Sequence, residues 1–427
     1  MRLTTICGCA LALWACDQGK KADPAKKAPA AKGAAAKKAP TPKKPDIKTD
    51  KGVDAAKKII RMGVLNDESG PAAAIGKPYA IGKRLLAEQV NAGKSGILPE
   101  GWKLELVEKD HGYNPGKSQQ AYQAIKDKVL FIGTSFGTPP TLPLRPFLKR
   151  DGIVAFPASL SSEMAANPHT PPAGPSYVFE ARRAVDYVAS VAGEDKTKVK
   201  LGIVYDQTDY GKDGLKGFDA QAAKHGFEVV SRRAIKPGQK DFTADVTELK
   251  NNGATHVLLT VLPSSTGPIL GTGIAMKFMP AWIGNTPAWI DAFFAHPKLP
   301  APVFSNFHLV GGMPFWGEKV PGMDEFMKTY TTFGKKLGAR PDFYTLMSYL
   351  QGRAALEAAN RAIAAKDVTR AGYMKSLRSM KDWSAGGMLQ PLDFSKTPYV
   401  TGTKTRILKP DFEKKTWSVV APYADPT

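Results

Sequence analysis

The stretch LGIVYDQTDYG at residues 201–211 decides the fold. Its apolar beginning predicts a buried strand, and the polar residues that follow predict the end of that strand. A helical pattern then runs from Tyr210 to His225, and a second apolar run covers Phe227 to Val230. Two apolar runs joined by a helix are typical of parallel strands with a helical crossover. The stretch therefore predicts a βαβ unit.

The same alternation continues on both sides of this unit. Upstream, Ile59–Leu65 and Trp102–Lys109 are predicted strands, with a helix over Ala74–Asn91 between them. Downstream, His256–Leu262 and Ala281–Gly284 are predicted strands, and Tyr344–Ala365 is predicted as a helix whose apolar stripe belongs to a core. One sheet holding all these strands would be unusually wide. We therefore predict an α/β protein with two doubly wound, Rossmann-like lobes.

Three sequence blocks resemble a known family when they are taken in order. They are SGPA at 69–72 after the first strand, the block at 201–211, and KDFT at 240–243 followed by Leu249-Lys250. This order resembles the leucine/isoleucine/valine-binding proteins, the type I periplasmic binding proteins of ABC importers. The resemblance implies two lobes joined by a three-stranded hinge, with lobe 1 at 58–179 plus 309–395 and lobe 2 at 180–308 plus 396–427.

The resemblance also implies a function and a site. It implies a binding protein that is not an enzyme, needs no cofactor and delivers a small molecule to an inner-membrane permease. An alternative is a ligand sensor of the same fold that feeds a signalling partner. In this family the ligand lies between the lobes, on loops after strands. The matching positions are Ser69, Ile75, Ser135, Phe136, Gly137, Thr138, Ala158, Ser159, Leu160, Tyr210, Leu262, Asn285 and Thr286.

Three of these positions depart from the family pattern. Leu160 replaces a usual threonine, and Leu262 replaces a common aromatic residue. Asn285-Thr286 stands where the glutamate that pairs with an amino-acid ammonium would lie. An ammonium buried without a counter-charge costs several kcal/mol. We therefore expect a neutral or rather apolar ligand, with Phe136, Trp282 and Trp289 as candidate stacking walls.

The amino terminus predicts export and a lipid anchor. Arg2 and a short apolar stretch precede Leu13-Trp14-Ala15-Cys16, which resembles a lipoprotein signal that is cut before an acylated cysteine. We predict a signal peptide at 1–15, lipidation of Cys16 and a disordered Lys/Ala/Pro tether at 16–57. The protein would lie in the periplasm or at the cell surface, bound to a bilayer. The alternative is a plain secretory signal cut elsewhere.

Composition excludes several other classes. The net charge is +21, but thirteen lysines and five aspartates lie between residues 17 and 60, so the tether holds much of the excess. No dense basic block or nucleic-acid module follows, so no nucleic-acid partner is expected. The six histidines are scattered, so no metal site is predicted. All three cysteines, Cys7, Cys9 and Cys16, precede the body.

Two catalytic motifs need an interpretation. Residues 133–137, GTSFG, match the nucleophile pattern G-x-S-x-G, with Asp291 and the histidines 256, 296 and 308 as candidate partners. A serine hydrolase is therefore a minor alternative. The stretch HGYNPGKS at 111–118 has one residue too few between its glycines for a P-loop. Asn114 and Pro115 more simply begin the next helix, as its cap and first-turn proline.

Overall fold

The computed structural model describes residues 46–427 except Lys94 and Glu194. The predicted signal peptide, the lipidation site Cys16 and the first part of the predicted tether lie outside these residues. Among the described helices, none combines the length and apolar character needed to cross a bilayer.

The first sheet is built around the first strong apolar run of the body. Its strands are β2 (Val53–Asp54), β3 (Ile59–Asn66), β4 (Lys103–Asp110), β5 (Phe131–Phe136) and β6 (Ala155–Ala158). Strands β4, β3, β5 and β6 lie side by side and are parallel, and β2 pairs antiparallel with the start of β3. Strand β3 is therefore central, with its two successors on opposite sides, which is the doubly wound arrangement.

The second sheet has seven strands and the same type of order. They are β7 (Lys200–Asp206), β8 (Glu228–Ile235), β9 (His256–Thr260), β10 (Ala281–Gly284), β11 (Phe307–Gly311), β13 (Thr405–Asp411) and β14 (Thr416–Ala424). Strands β8, β7, β9, β10 and β11 are parallel, in that order. Strands β13 and β14 extend the sheet beyond β11 as an antiparallel pair.

Helices cover the faces of both sheets. Their bounds are α1 Ala73–Asn91, α2 Pro115–Ile125, α3 Thr138–Thr141, α4 Arg145–Asp151, α5 Ser162–Ala165, α6 Tyr177–Ala192, α7 Asp209–His225, α8 Thr243–Asn251, α9 Pro263–Ala275, α10 Met323–Phe333, α11 Phe343–Ala364 and α12 Arg370–Arg378. Short 3-10 turns cover Leu142–Leu144, Lys196–Lys198, Thr286–Ala288, Asp291–Ala295 and Ala301–Phe304.

The first lobe is the first sheet with α1 to α5 and α10 to α12, and the second lobe is the second sheet with α6 to α9. The chain passes between them three times: before α6, after β11 and before β13. The predicted two-lobed α/β fold is therefore confirmed. The boundaries proposed from the resemblance stay a prediction, and β11 (Phe307–Gly311) spans one of them while belonging wholly to the second sheet.

The end of the predicted tether is ordered, which corrects its extent. Strand β1 (Lys48–Thr49) pairs parallel with β12 (Asp367–Val368), and β2 pairs with β3. Ile47 and Val53 pack against the core of the first lobe. These two apolar side chains supply the burial that the Lys/Ala/Pro repeat before them lacks. The described chain is thus structured from residue 46, twelve residues before the predicted start of the first lobe.

Local signals explain the helix starts that matter for the site. The side chain of Asn114 accepts a hydrogen bond from the Lys117 amide and Pro115 occupies the first turn, which confirms the helix start predicted there. Asp342 caps α11 by accepting from the Tyr344 amide at 2.7 Å. Helix α11 is buried along most of its length and belongs to the first-lobe core, as its apolar stripe predicts.

Candidate ligand-binding site

A cavity lies where the carboxyl ends of the strands of both sheets meet. Open α/β sheets bind ligands at this edge, where the strand order reverses. The loops after β3, β5 and β6 reach it from the first lobe, and the segments after β7, β9 and β10 reach it from the second. In this structure the cavity has room for only about 40 Å³ of water-sized molecules. Its position between the lobes, at the strand ends, fits a site for a small molecule.

Sixteen described residues line this cavity. None of them carries a charged side chain, and five of them are tyrosines. They are Ala72, Ile75, Tyr79, Tyr113, Phe136, Gly137, Thr138, Ala158, Leu160, Tyr177, Tyr210, Leu262, Thr286, Pro287, Tyr344 and Met347. The lining is therefore mostly apolar, with hydroxyl groups as its polar side-chain atoms.

Nine of the thirteen positions named by the resemblance belong to this lining. They are Ile75, Phe136, Gly137, Thr138, Ala158, Leu160, Tyr210, Leu262 and Thr286. Each lies at the last residue of a strand or in the segment that follows it, so the sheet edge brings them together. Gly137 has a φ of 85°, and a Cβ there would lie 2.5 Å from the Tyr113 ring. The turn after β5 therefore needs glycine. Their contacts with a ligand remain a prediction.

Ser135 and Ser159 are not part of the lining, and the hydroxyl of each is hydrogen-bonded to a threonine hydroxyl. The Ser135 hydroxyl lies 2.8 Å from that of Thr141, in the next short helix. The Ser159 hydroxyl lies 2.7 Å from that of Thr138, which does line the cavity. Ser159 therefore lies behind Thr138 and orients it.

Ser69 and Asn285 also lie outside the lining. Ser69 hydrogen-bonds to the Asp110 carboxylate, whose pKa is lowered in part by this bond, although burial opposes the shift. The side-chain oxygen of Asn285 accepts a 2.8 Å hydrogen bond from the Tyr210 hydroxyl. Asn285 thus supports a lining residue from behind.

Seven lining residues were not predicted. Tyr79 lies in α1, Tyr344 and Met347 lie in α11, and Tyr177 begins α6. None of these four directly follows a strand, so a search of strand ends cannot find them. The remaining three are Ala72 after β3, Tyr113 after β4 and Pro287 after β10.

Trp282 and Trp289 do not form stacking walls, which corrects that prediction. Both rings are buried in the second-lobe core. Trp289 packs among aromatic rings, with the Trp417 ring centre 4.7 Å away. Trp282 alternates inward on β10 and packs edge-on against Phe278. Of the three predicted aromatic walls, only Phe136 is part of the lining.

The carboxyl nearest to Thr286 adds little negative charge to the cavity. The two oxygens of Glu180 accept hydrogen bonds from the Thr286 amide at 3.0 Å and the Thr286 hydroxyl at 2.5 Å. Glu180 is fully buried, and this burial raises its pKa to about 8. A carboxyl with that pKa is mostly protonated at neutral pH. The cavity therefore offers an ammonium group no free counter-charge at this position.

The arrangement around Ser135 does not form a catalytic triad. Its hydroxyl contacts Thr141, and Asp291 accepts hydrogen bonds from the Trp289 ring and the Phe343 amide. A triad would instead need a histidine between the serine and the acid. Within residues 46–427, gaps aside, no group of three or more candidate metal ligands occurs.

The lobes also meet at the start of α11, next to the cavity. The Tyr344 hydroxyl donates to the carbonyl oxygens of Thr286 at 2.7 Å and Trp289 at 3.1 Å. The Asp291 carboxylate accepts a 2.7 Å hydrogen bond from the Phe343 amide. Together they join the beginning of a first-lobe helix to the second lobe.

A second junction links α5 to α7. The Asp213 carboxylate accepts hydrogen bonds from the Ser162 amide at 2.9 Å and the Ser162 hydroxyl at 2.5 Å. Burial raises the pKa of Asp213, while these two bonds oppose the shift. The structure therefore shows the lobes in contact on both sides of the cavity.

Two doubly wound lobes around an interlobe cavity define a class, the bilobed solute-binding proteins. The sequence model of the periplasmic binding protein family matches residues 59–408. The chain belongs to this family. An amino acid binding protein of Pseudomonas aeruginosa is 25% identical over 78% of this chain and 88% of the relative. A Leu/Ile/Val-binding protein homolog of Brucella abortus is 24% identical over 73% of this chain and 79% of that protein.

Solved structures share the fold. A fatty acid ABC transporter substrate-binding protein from Thermomonospora curvata superposes with a TM-score of 0.80, at 24% identity, over 89% of this chain and 95% of its own. A branched chain amino acid ABC transporter protein from Thermus thermophilus, with bound valine, gives 0.76 at 18% identity, over 86% and 97%. The relatives are substrate-binding proteins, and this chain is one too rather than an enzyme.

Proposed function

We propose that this chain is the lipid-anchored receptor of an ABC importer, which closes on a small neutral or largely apolar solute and delivers it to a membrane permease. The observation that carries the ligand class is the interlobe cavity, whose sixteen described lining residues bear no charge. Transferring a charged group into such a site without a partner is strongly unfavourable.

The similar proteins have names that point to different ligands. Relatives are named for amino acids, and a structural neighbour is named for a fatty acid. An α-amino acid would need partners for both an ammonium and a carboxylate. Here Thr286 is held by the largely protonated Glu180, and apolar Leu160 and Leu262 face the cavity. This lining favours a solute without a permanent charge.

A stability screen tests the ligand class. The full chain with Cys16→Ser, which removes the predicted lipidation site, is screened by thermal unfolding against amino acids, fatty acids and neutral carbonyl or aromatic compounds. A ligand at a hundred times its Kd adds about 2.7 kcal/mol to the free energy of unfolding. Stabilisation by neutral compounds supports the proposal, and selective stabilisation by leucine or valine contradicts it.

Anchoring and delivery are tested in cells. Incorporation of a radiolabelled lipid precursor is expected in the wild type and in Cys9→Ser, and is expected to be lost in Cys16→Ser. Deletion of the gene is expected to abolish uptake of the solute found in the screen, with complementation by the wild type. Normal uptake after deletion contradicts the delivery role and favours sensing.

A further inference from the structure

Tyr79 belongs to the cavity lining and carries a buried hydroxyl without a hydrogen-bond partner in the described residues. It lies in α1 and is 1% exposed. Leaving a buried hydroxyl unpaired costs about 1–3 kcal/mol, so such a group in a binding cavity points to a partner that a ligand would bring.

Two other tyrosine hydroxyls of the lining already donate their protons to acceptors in the protein. Tyr210 donates to the side-chain oxygen of Asn285 at 2.8 Å, with the Val261 carbonyl at 3.1 Å. Tyr344 donates to the Thr286 carbonyl at 2.7 Å. A hydroxyl has one proton, so both oxygens can only accept from a ligand. Tyr79 differs from these two because its proton is not committed.

The ring of Tyr79 is held in place without its hydroxyl. Its edge packs on Phe136, with ring centres 5.8 Å apart. On α1, the Lys83 side-chain nitrogen lies 5.1 Å from the ring centre and donates to the Ser348 carbonyl at 2.6 Å and the Gln351 side chain at 3.1 Å. These contacts position the ring before a ligand arrives, which lowers the entropic cost of binding.

The hydroxyl also keeps its proton. Burial raises the pKa of Tyr79 well above its ordinary value, and the neighbouring Tyr177, another lining residue, raises it further. The group is therefore a neutral donor over the whole physiological pH range. A donor of this kind pairs best with an acceptor atom such as a carbonyl oxygen.

We infer that Tyr79 is a specificity-determining residue, whose hydroxyl selects solutes that carry an uncharged hydrogen-bond acceptor on an otherwise apolar body. The inference rests on the proposed function in one respect, namely that the cavity is the ligand site. It adds the chemical group by which this site recognises its ligand.

A matched pair of probes tests the inference. Acetophenone and isopropylbenzene have similar shapes, but only acetophenone has a carbonyl oxygen. Calorimetric titration of the wild type is expected to show tighter binding of acetophenone by about 5- to 100-fold, the equivalent of one satisfied buried hydroxyl. In Tyr79→Phe this ratio is expected to fall close to one.

Tyr344→Phe is the matched control, because its hydroxyl is committed to the Thr286 carbonyl. It is expected to weaken both probes alike and to leave their ratio unchanged. A Tyr79→Phe protein that keeps the wild-type ratio overturns the inference. Absence of acetophenone binding to the wild type overturns it as well, whereas anchoring and uptake are judged by the separate cell experiments.

A measurement without ligand gives an independent test. Since the Tyr79 hydroxyl has no partner in the described protein, Tyr79→Phe is expected to unfold at the same temperature as the wild type or at a higher one. Tyr344→Phe is expected to unfold at a lower temperature, because two carbonyl oxygens lose the hydrogen bond that the Tyr344 hydroxyl donates. A drop in Tyr79→Phe as large as that in Tyr344→Phe shows a structural role and overturns the inference.

Discussion

The two lobes meet in two adjacent regions, one without charged side chains and one that contains carboxyl groups. The cavity has an uncharged lining of tyrosines, aliphatic side chains and threonines. The start of α11 brings together two carboxyl groups, buried Asp342 and half-buried Asp291. Tyr344 belongs to both regions, because its ring lines the cavity and its hydroxyl bonds to the second lobe.

The carboxyl groups therefore lie at the junction of the lobes, whereas none belongs to the described lining of the cavity. Asp291 accepts from the Phe343 amide and Asp342 accepts from the Tyr344 amide, so both satisfy free N–H groups at the beginning of α11. Such groups would otherwise lack partners when the lobes close over them. In the cavity, by contrast, a fixed charge would need a charged ligand.

The largest effect is expected from placing a charge in the cavity. Leu262→Asp introduces a carboxylate beside apolar residues, and closing the lobes over it costs several kcal/mol. The affinity for the solute found in the screen is expected to fall by about 100-fold or more, measured by calorimetric titration. Leu262→Met, which keeps the volume and polarity, should bind nearly as the wild type does. Equal affinities in both variants would show that Leu262 does not face the ligand.

A smaller effect is expected from removing the carboxyl that joins the lobes. Asp291→Ala removes the acceptor of the Phe343 amide and the Trp289 ring N–H, and is expected to lower the free energy of unfolding by about 2 kcal/mol. Urea unfolding measures the loss. The control is Asp219→Ala, which breaks an exposed ion pair with Arg232 and should cost about 1 kcal/mol at most. Similar losses in both variants would contradict a special role for Asp291.

The smallest effect, taken per pH unit, is expected in the pH dependence of the free energy of unfolding. Burial and the nearby Asp291 carboxyl raise the pKa of Asp342, so the folded protein holds a proton there that the unfolded chain releases above about pH 4. The protonated Asp342 stabilises the folded state fully below the pKa that Asp342 has in the unfolded chain. This stabilisation is lost as pH rises toward the raised pKa of Asp342 in the folded protein. The slope is at most about 1.4 kcal/mol per pH unit.

Asp342→Asn tests this sign and keeps a good helix cap. Urea unfolding at pH 4 to 8 is expected to show that the variant gains stability relative to the wild type as pH rises. Asp219→Asn, at an exposed site, should show no such gain. Parallel curves for Asp342→Asn and the wild type would show that Asp342 titrates normally in the folded protein.

Much of the fold and part of the site could be predicted from sequence, because strands and the residues after them are recognised from short stretches of the chain. A strand such as Leu201–Tyr205 is predicted by its run of apolar residues, and the residues just after it must lie at the sheet edge. Phe136, Leu160, Tyr210 and Leu262 were found in this way, with the family resemblance indicating which strand ends to use. No local pattern indicates that the Glu180 carboxyl, which comes from α6, holds Thr286.

The rest of the site is assembled by packing between helices that are distant in the chain. Tyr79 on α1 shares one cavity with Tyr344 and Met347 on α11, although more than 260 residues separate Tyr79 from either of them. On a helix, an aromatic residue that lines a cavity has the same sequence pattern as one that fills a core. This is also why Trp282 and Trp289 were assigned to the cavity when they belong to the core of the second lobe.

The sequence by itself determined the two doubly wound lobes, the family and the strand-end half of the cavity, because hydrophobic periodicity and short motifs are local properties of the chain. Only the tertiary structure decided which tyrosine hydroxyls are engaged and that of Tyr79 is not, because hydrogen bonding depends on the contacts that each side chain makes in the folded protein. Tertiary structure likewise decided that Asp291 and Asp342 meet at the start of α11, since they come from different lobes.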